Sequence, residues 1–70
     1  MPTPTIAPGD NVLVRSAFDV ELPRRAVSGP QKGHDFMVVL VCTVEEWTAA
    51  EAEGREPVGT PWPAEDVRPT

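Results

Sequence analysis

Over residues 11–16, Val12 and Val14 fall on one face and Leu13 and Arg15 on the other. A half-buried strand has this period of two. The pattern returns where Phe18, Val20 and Leu22 interleave with Asp19 and Glu21 and stop at Pro23, which predicts a second strand or an extended edge. Gly29, Pro30 and Gly33 then break the chain into a loop, a place where function often sits. Residues 36–42 are apolar without interruption and include Val38, Val39 and Val41, which predicts a central strand covered on both faces.

At Thr43 the period changes. Thr43 followed three residues later by Glu46 is the spacing of a capping box, so a helix starts there and runs over about 44–53. Glu45 and Glu46 suit its first turn, Ala49, Ala50 and Ala52 favour its middle, and Gly54 stops it. Val44, Trp47 and Ala50 share one face, through which the helix docks, and Glu51 stands four residues before Arg55 as an ion-pair partner. Beyond Pro57, residues 58–62 form a short edge strand limited by Pro61 and Pro63, residues 63–66 a single helical turn, and Val67 and Arg68 a last strand. Residues 1–8 hold three prolines and two threonines around Ile6 and read as a flexible or partner-ordered arm, dispensable for folding. Residues 9–70 are then one small domain.

The expected fold is mainly β with one inserted helix. Gly9, Asp10, Val12 and Val14 at one end, and Pro63, Ala64, Glu65, Asp66 and Val67 at the other, give the framework of residues 9–68 a resemblance to the Src-homology-three-like barrels. The resemblance implies a small five-stranded barrel. The helix over 44–53 is an insertion relative to that family, and tyrosine is absent, so the aromatic groove with which signalling members grip polyproline does not carry over. Frequent Val, Ala, Pro and Arg, beside single Lys, Ile and Asn residues, resemble the usage of small proteins of actinobacteria and their phages.

Composition narrows the function. Seventy residues bury only about 60% of the surface their unfolded chain exposes. Cys42 is the only cysteine, so no internal disulfide compensates, and a reducing cytoplasm, or the inside of a phage particle, fits best. Neither a signal peptide nor a membrane span is indicated. Charge divides the chain. Residues 11–34 carry Arg15, Arg24, Arg25 and Lys32 against Asp19 and Glu21, whereas residues 35–66 carry eight carboxylates against Arg55 alone. An acidic second half repels phosphate backbones, so general nucleic-acid binding is not expected. The rival reading confines such binding to Arg15, Arg24, Arg25 and Lys32, and requires those four side chains to converge on one face.

Catalysis finds no constellation. His34 beside Asp35 lies at a strand entry, where neighbours point to opposite faces. Cys42 ends an apolar strand and reads as a core thiol, and one His with one Cys cannot complete a zinc site. Glu45, Glu46, Glu51 and Glu53 read as the solvated face of the helix, and Gly29–Gly33 as a hairpin loop rather than a phosphate cradle. No cofactor is expected. The chain reads as a non-catalytic protein-interaction or structural accessory module docking on a larger assembly, with Trp62, Trp47, Arg24, Arg25 and Lys32 as candidate partner contacts. Trp62, held between two prolines, is either a presented anchor or the closure of a small core, the second being preferred because so short a chain needs its aromatics inside.

Overall fold

The structure, a computed structural model, describes residues 6–70. Strand β1 (Asn11–Arg15) pairs antiparallel with β2 (Glu21–Ala26) on one side and with β6 (Val67–Pro69) on the other. The middle of the sheet is β4 (Met37–Cys42), whose one edge takes the end of β2 and then β3 (Gln31–Lys32), and whose other edge takes β5 (Thr60–Pro63). Helix α1 (Val44–Glu53) is inserted between β4 and β5, and a 3-10 turn (Ala64–Asp66) joins β5 to β6. The result is a curled antiparallel sheet, a half-barrel, with one helix. Among the described residues it has six strands rather than five, because the chain between Ala26 and Gln31 bends and divides the stretch that follows β4's edge. Val12, Val14, Ala26, Val39, Val41, Val67 and Ile6 form the core on the concave side.

The second strand is displaced from the expected position. Ser16 N–H donates to Val20 C=O and Asp19 N–H to Ser16 C=O, at 2.9 and 3.0 Å, closing a three-residue hairpin loop. Asp19 takes the left-handed conformation, with φ of 61°, that ends such a loop and that Asp tolerates better than most residues. Phe18 and Val20 are therefore on the loop and exposed, and β2 begins at Glu21 and runs through Pro23. The proline costs no ladder bond. Val20 C=O accepts from Ser16 and Ala26 N–H donates to Asp10, so the even positions on the β2 side face β1, and Pro23 lies on the other parity, where β4 reaches only Arg25 and Ala26.

Helix α1 follows its local signals closely. Thr43 Oγ1 accepts the N–H of Glu46 at 3.1 Å, and Gly54, at φ 69°, ends the helix with its N–H on Glu51 C=O while Arg55 N–H reaches Ala50 C=O, the paired bonds of a Schellman ending. Thr43→Ala is expected to lower unfolding free energy by about 1 kcal/mol, measured by urea titration; no change would place the helix start elsewhere. The expected Glu51–Arg55 pair is replaced. The reversal at Gly54 folds Arg55 back along the helix, where it forks onto Glu46 at 2.6 and 3.2 Å and also meets Glu53. Glu46 accepts Val58 N–H as well, at 2.9 Å, so its carboxylate fastens the loop after the helix instead of completing the capping box.

Arg55, joined by the Val58 amide, holds the Glu46 carboxyl down at about 2, from an ordinary 4.5. A depressed carboxyl stabilises the fold above its unfolded value and loses that contribution as pH falls through the folded one. The Val58 amide resonance should therefore stay unperturbed through pH 4.5 and shift with a midpoint near 2; a midpoint at 4.5 would contradict the clamp.

Residues 1–5 of the expected arm lie outside the described residues. From Ile6 the chain departs from that expectation. Ile6 is only 6% exposed and belongs to the core. A turn over residues 7–10 then leads into β1, with Pro8 second, Gly9 third at φ 93°, and Asp10 N–H on Ala7 C=O. Proline and glycine occupy the positions that a type II turn favours.

Candidate functional site

Strands β5 and β6 follow one another in the chain but pair with different partners, β4 and β1. Between them the half-barrel stays open. Its concave side is reached through a groove of about 420 Å³ lined by Ile6, Pro30, Met37, Val39, Ala64, Val67 and Pro69, with Arg68 at the margin. A second hollow of about 240 Å³, formed by Phe36, Met37, Pro63, Ala64 and Glu65, continues it through the shared Met37 and Ala64. A third, of about 40 Å³ beside Glu21 and Arg68, is small enough to suit water alone. Met37 and Phe36 are 48% and 57% exposed, although the apolar run over 36–42 predicts burial on both faces. The run begins beyond the last residue that β5 covers, Val38 opposite Pro63, so its first two side chains lie past the cover of β5, although Met37 still pairs with Lys32 of β3.

Among the described residues, the outward positions of β5 and β6 lack free backbone donors. Leu40 directs its backbone groups to the β2 side, accepting from Val27 N–H and donating to Ser28 Oγ. Opposite Leu40 stands Pro61, and opposite Val38 stands Pro63, so the prolines occupy the positions of β5 whose N–H would face outward. On β6, Val67 N–H is spent on Ala64 C=O and Pro69 has none. A strand added to β5 or β6 would find acceptors only, although Met37 of β4, by the same parity, turns its N–H toward the opening beyond Pro63. Such an edge resists pairing with other chains, which leaves the groove to be recognised through side chains.

The residues singled out by sequence do not meet in one place. Trp62 stands opposite Val39 on the concave side, is half-buried against the core and donates its indole N–H to Arg15 C=O at 3.0 Å, linking β5 to the end of β1 across the opening. Trp47 lies elsewhere, on α1. The Arg25 guanidinium sits 5.2 Å from the centre of its ring and donates to Asn11 Oδ1, a cation–π arrangement. Arg25 Nε is buried and has no partner among the described residues. Arg24 and Arg25 stand opposite Val12 and Asn11 and so leave opposite faces of β2. Lys32 is exposed on β3, and Arg15 pairs with Asp19 at the hairpin end of β1, about 13 Å of strand from the Arg25 end. The four basic side chains scatter.

Cys42 is buried and unpaired. Burial pushes its thiol up, with the Glu46 charge adding to the shift, so it has the character of an inert core thiol. Among the described residues no helix is long and apolar enough to cross a membrane. Compared with protein-family models, curated proteins and solved structures, the chain matches none of them.

Proposed function

We propose that this chain is a non-catalytic protein-interaction module, a structural accessory of a larger assembly, and that its contact surface is the groove between β4 and β6. The observation that carries the reading is an apolar opening built on core residues and left uncovered by the sheet. Seating one aromatic side chain there removes apolar surface on both partners, a gain of about 1.5–3 kcal/mol, and the outward positions of β5 and β6, which lack free donors, favour a partner that inserts side chains over one that adds a strand. The exposed faces of Phe36 and Met37 extend the same surface.

Further support comes from the path of the chain, in which β6 returns to β1 after a 3-10 turn. That path suits the Src-homology-three-like framework, and fold likeness of this kind assigns no function by itself. A cytoplasmic or intraparticle setting in an actinobacterium or its phage belongs to the same proposal and rests on the lone cysteine and residue usage. The scattered placement of Arg15, Arg24, Arg25 and Lys32 gives the nucleic-acid reading no single face to work with.

The test is a nitrogen–proton correlation titration with N-acetyl-phenylalanine amide at millimolar concentration. Amides of Met37, Val39, Ala64 and Val67 should shift together and saturably, and Met37→Glu should abolish the shifts while leaving Tm within about 2 °C, as expected for a half-exposed position. Absence of shifts in the native chain, or shifts unaffected by Met37→Glu, would overturn the reading.

A further inference from the structure

The chain presents a second apolar feature, shaped as a knob. In the β1–β2 loop Ser16 closes the turn through its backbone, and its Oγ accepts both Phe18 N–H and Val20 N–H at 3.3 Å. Arg15 Nε reaches Asp19 Oδ1 at 3.4 Å across the same loop. These bonds hold the loop in one shape, and what that shape offers to solvent is Phe18, 88% exposed, with Val20 also exposed beside it. Nothing in the turn calls for phenylalanine, since the third position of a type I turn accepts most residues. A large aromatic on a pre-organised support is the form an interface anchor takes, because little side-chain and loop freedom is lost when it docks.

We propose that the hairpin tip of one copy of this chain seats Phe18 in the groove of a second copy. The inference rests on the groove being a docking site and adds the identity of its occupant. Size permits the contact, since an apolar cavity of about 150 Å³ already accepts a benzene ring and the groove measures about 420 Å³. Charge also matches. Lys32 stands opposite Met37 in the β3–β4 ladder and Glu65 lines the adjoining hollow, and neither makes an ion pair among the described residues. Asp19 and Arg15, flanking Phe18 and paired with each other in an exposed contact, exchange that pair for Lys32 and Glu65 on docking, while the Ser16 bonds keep the shape of the loop. Rim pairs of this kind set orientation more than strength.

Sedimentation equilibrium from micromolar to millimolar chain tests the proposal with two variants that damage opposite halves of the contact. The native chain should associate, and Phe18→Ala and Met37→Glu should each raise the dissociation constant tenfold or more. An equimolar mixture of the two variants should associate again, because Phe18→Ala keeps an intact groove and Met37→Glu keeps an intact knob. A native chain that stays monomeric, a Phe18→Ala chain that associates as the native one does, or a mixture that remains monomeric would overturn the proposal. Binding of N-acetyl-phenylalanine amide by a chain that stays monomeric would remove the second copy as occupant while leaving the groove as a docking site; loss of both would remove the groove itself.

Discussion

Trp62→Ala is expected to lower unfolding free energy by about 3 kcal/mol, the low end of the range for removing a large aromatic from a core, because the side chain is half-buried and not enclosed. For a domain of this size the loss corresponds to a fall in Tm of roughly 12–24 °C. Two contributions combine. The ring packs against the core opposite Val39, and the indole N–H satisfies Arg15 C=O at the end of β1. Trp62→Phe separates them, retaining most of the packing and losing the hydrogen bond, at a cost of about 1 kcal/mol. Pro61 and Pro63 stiffen the backbone on either side and limit how far β5 can settle into the space left by alanine. An alanine variant with an unchanged Tm would return Trp62 to the role of presented anchor.

Ile6→Ala should cost about 2 kcal/mol or somewhat more, since it deletes a buried aliphatic side chain. The loss stays at the lower end because Ile6 also lines the groove, so the vacated volume opens to solvent and no sealed void forms. Removing residues 1–8 takes Ile6 and the turn at Pro8 and Gly9 with it, and should destabilise at least as much. Urea unfolding of both variants measures the effect. Unchanged midpoints would restore the arm reading through residue 8.

The helix was legible because its signals are local. Thr43 and Gly54 determine where it starts and stops through bonds to residues three to five positions away, whatever the rest of the chain does. Strand β2 starts later than the alternation predicts, because the period-two pattern over Phe18, Val20 and Leu22 coincides with a tight turn, and only the left-handed Asp19 distinguishes the two. Pro23 argued for a strand end, yet a strand with one free side tolerates proline on that side. The preference for Trp62 as the closure of a small core rests on the shortness of the chain, and the structure has the ring half-buried against the core.

The groove was not legible. Its residues come from positions 6, 30, 37, 39, 64, 67, 68 and 69, brought together by the curl of the sheet and the return of β6 to β1. No spacing along the chain announces such a set. The apolar run over 36–42 signals burial but not which of its ends outruns the neighbouring strand. The turn at Pro8 and Gly9 was the one local clue that ordered structure begins before residue 9.

The account stands or falls on whether an aromatic side chain enters the opening between β4 and β6. Intermolecular nuclear Overhauser effects between the ring protons of N-acetyl-phenylalanine amide and the methyl groups of this chain measure that directly. The groove predicts cross-peaks to Ile6, Met37, Val39 and Val67, and none to Val58, which is exposed beyond the far end of α1. Cross-peaks spread over exposed methyls, Val58 included, with none to Val39 or Val67, would contradict it.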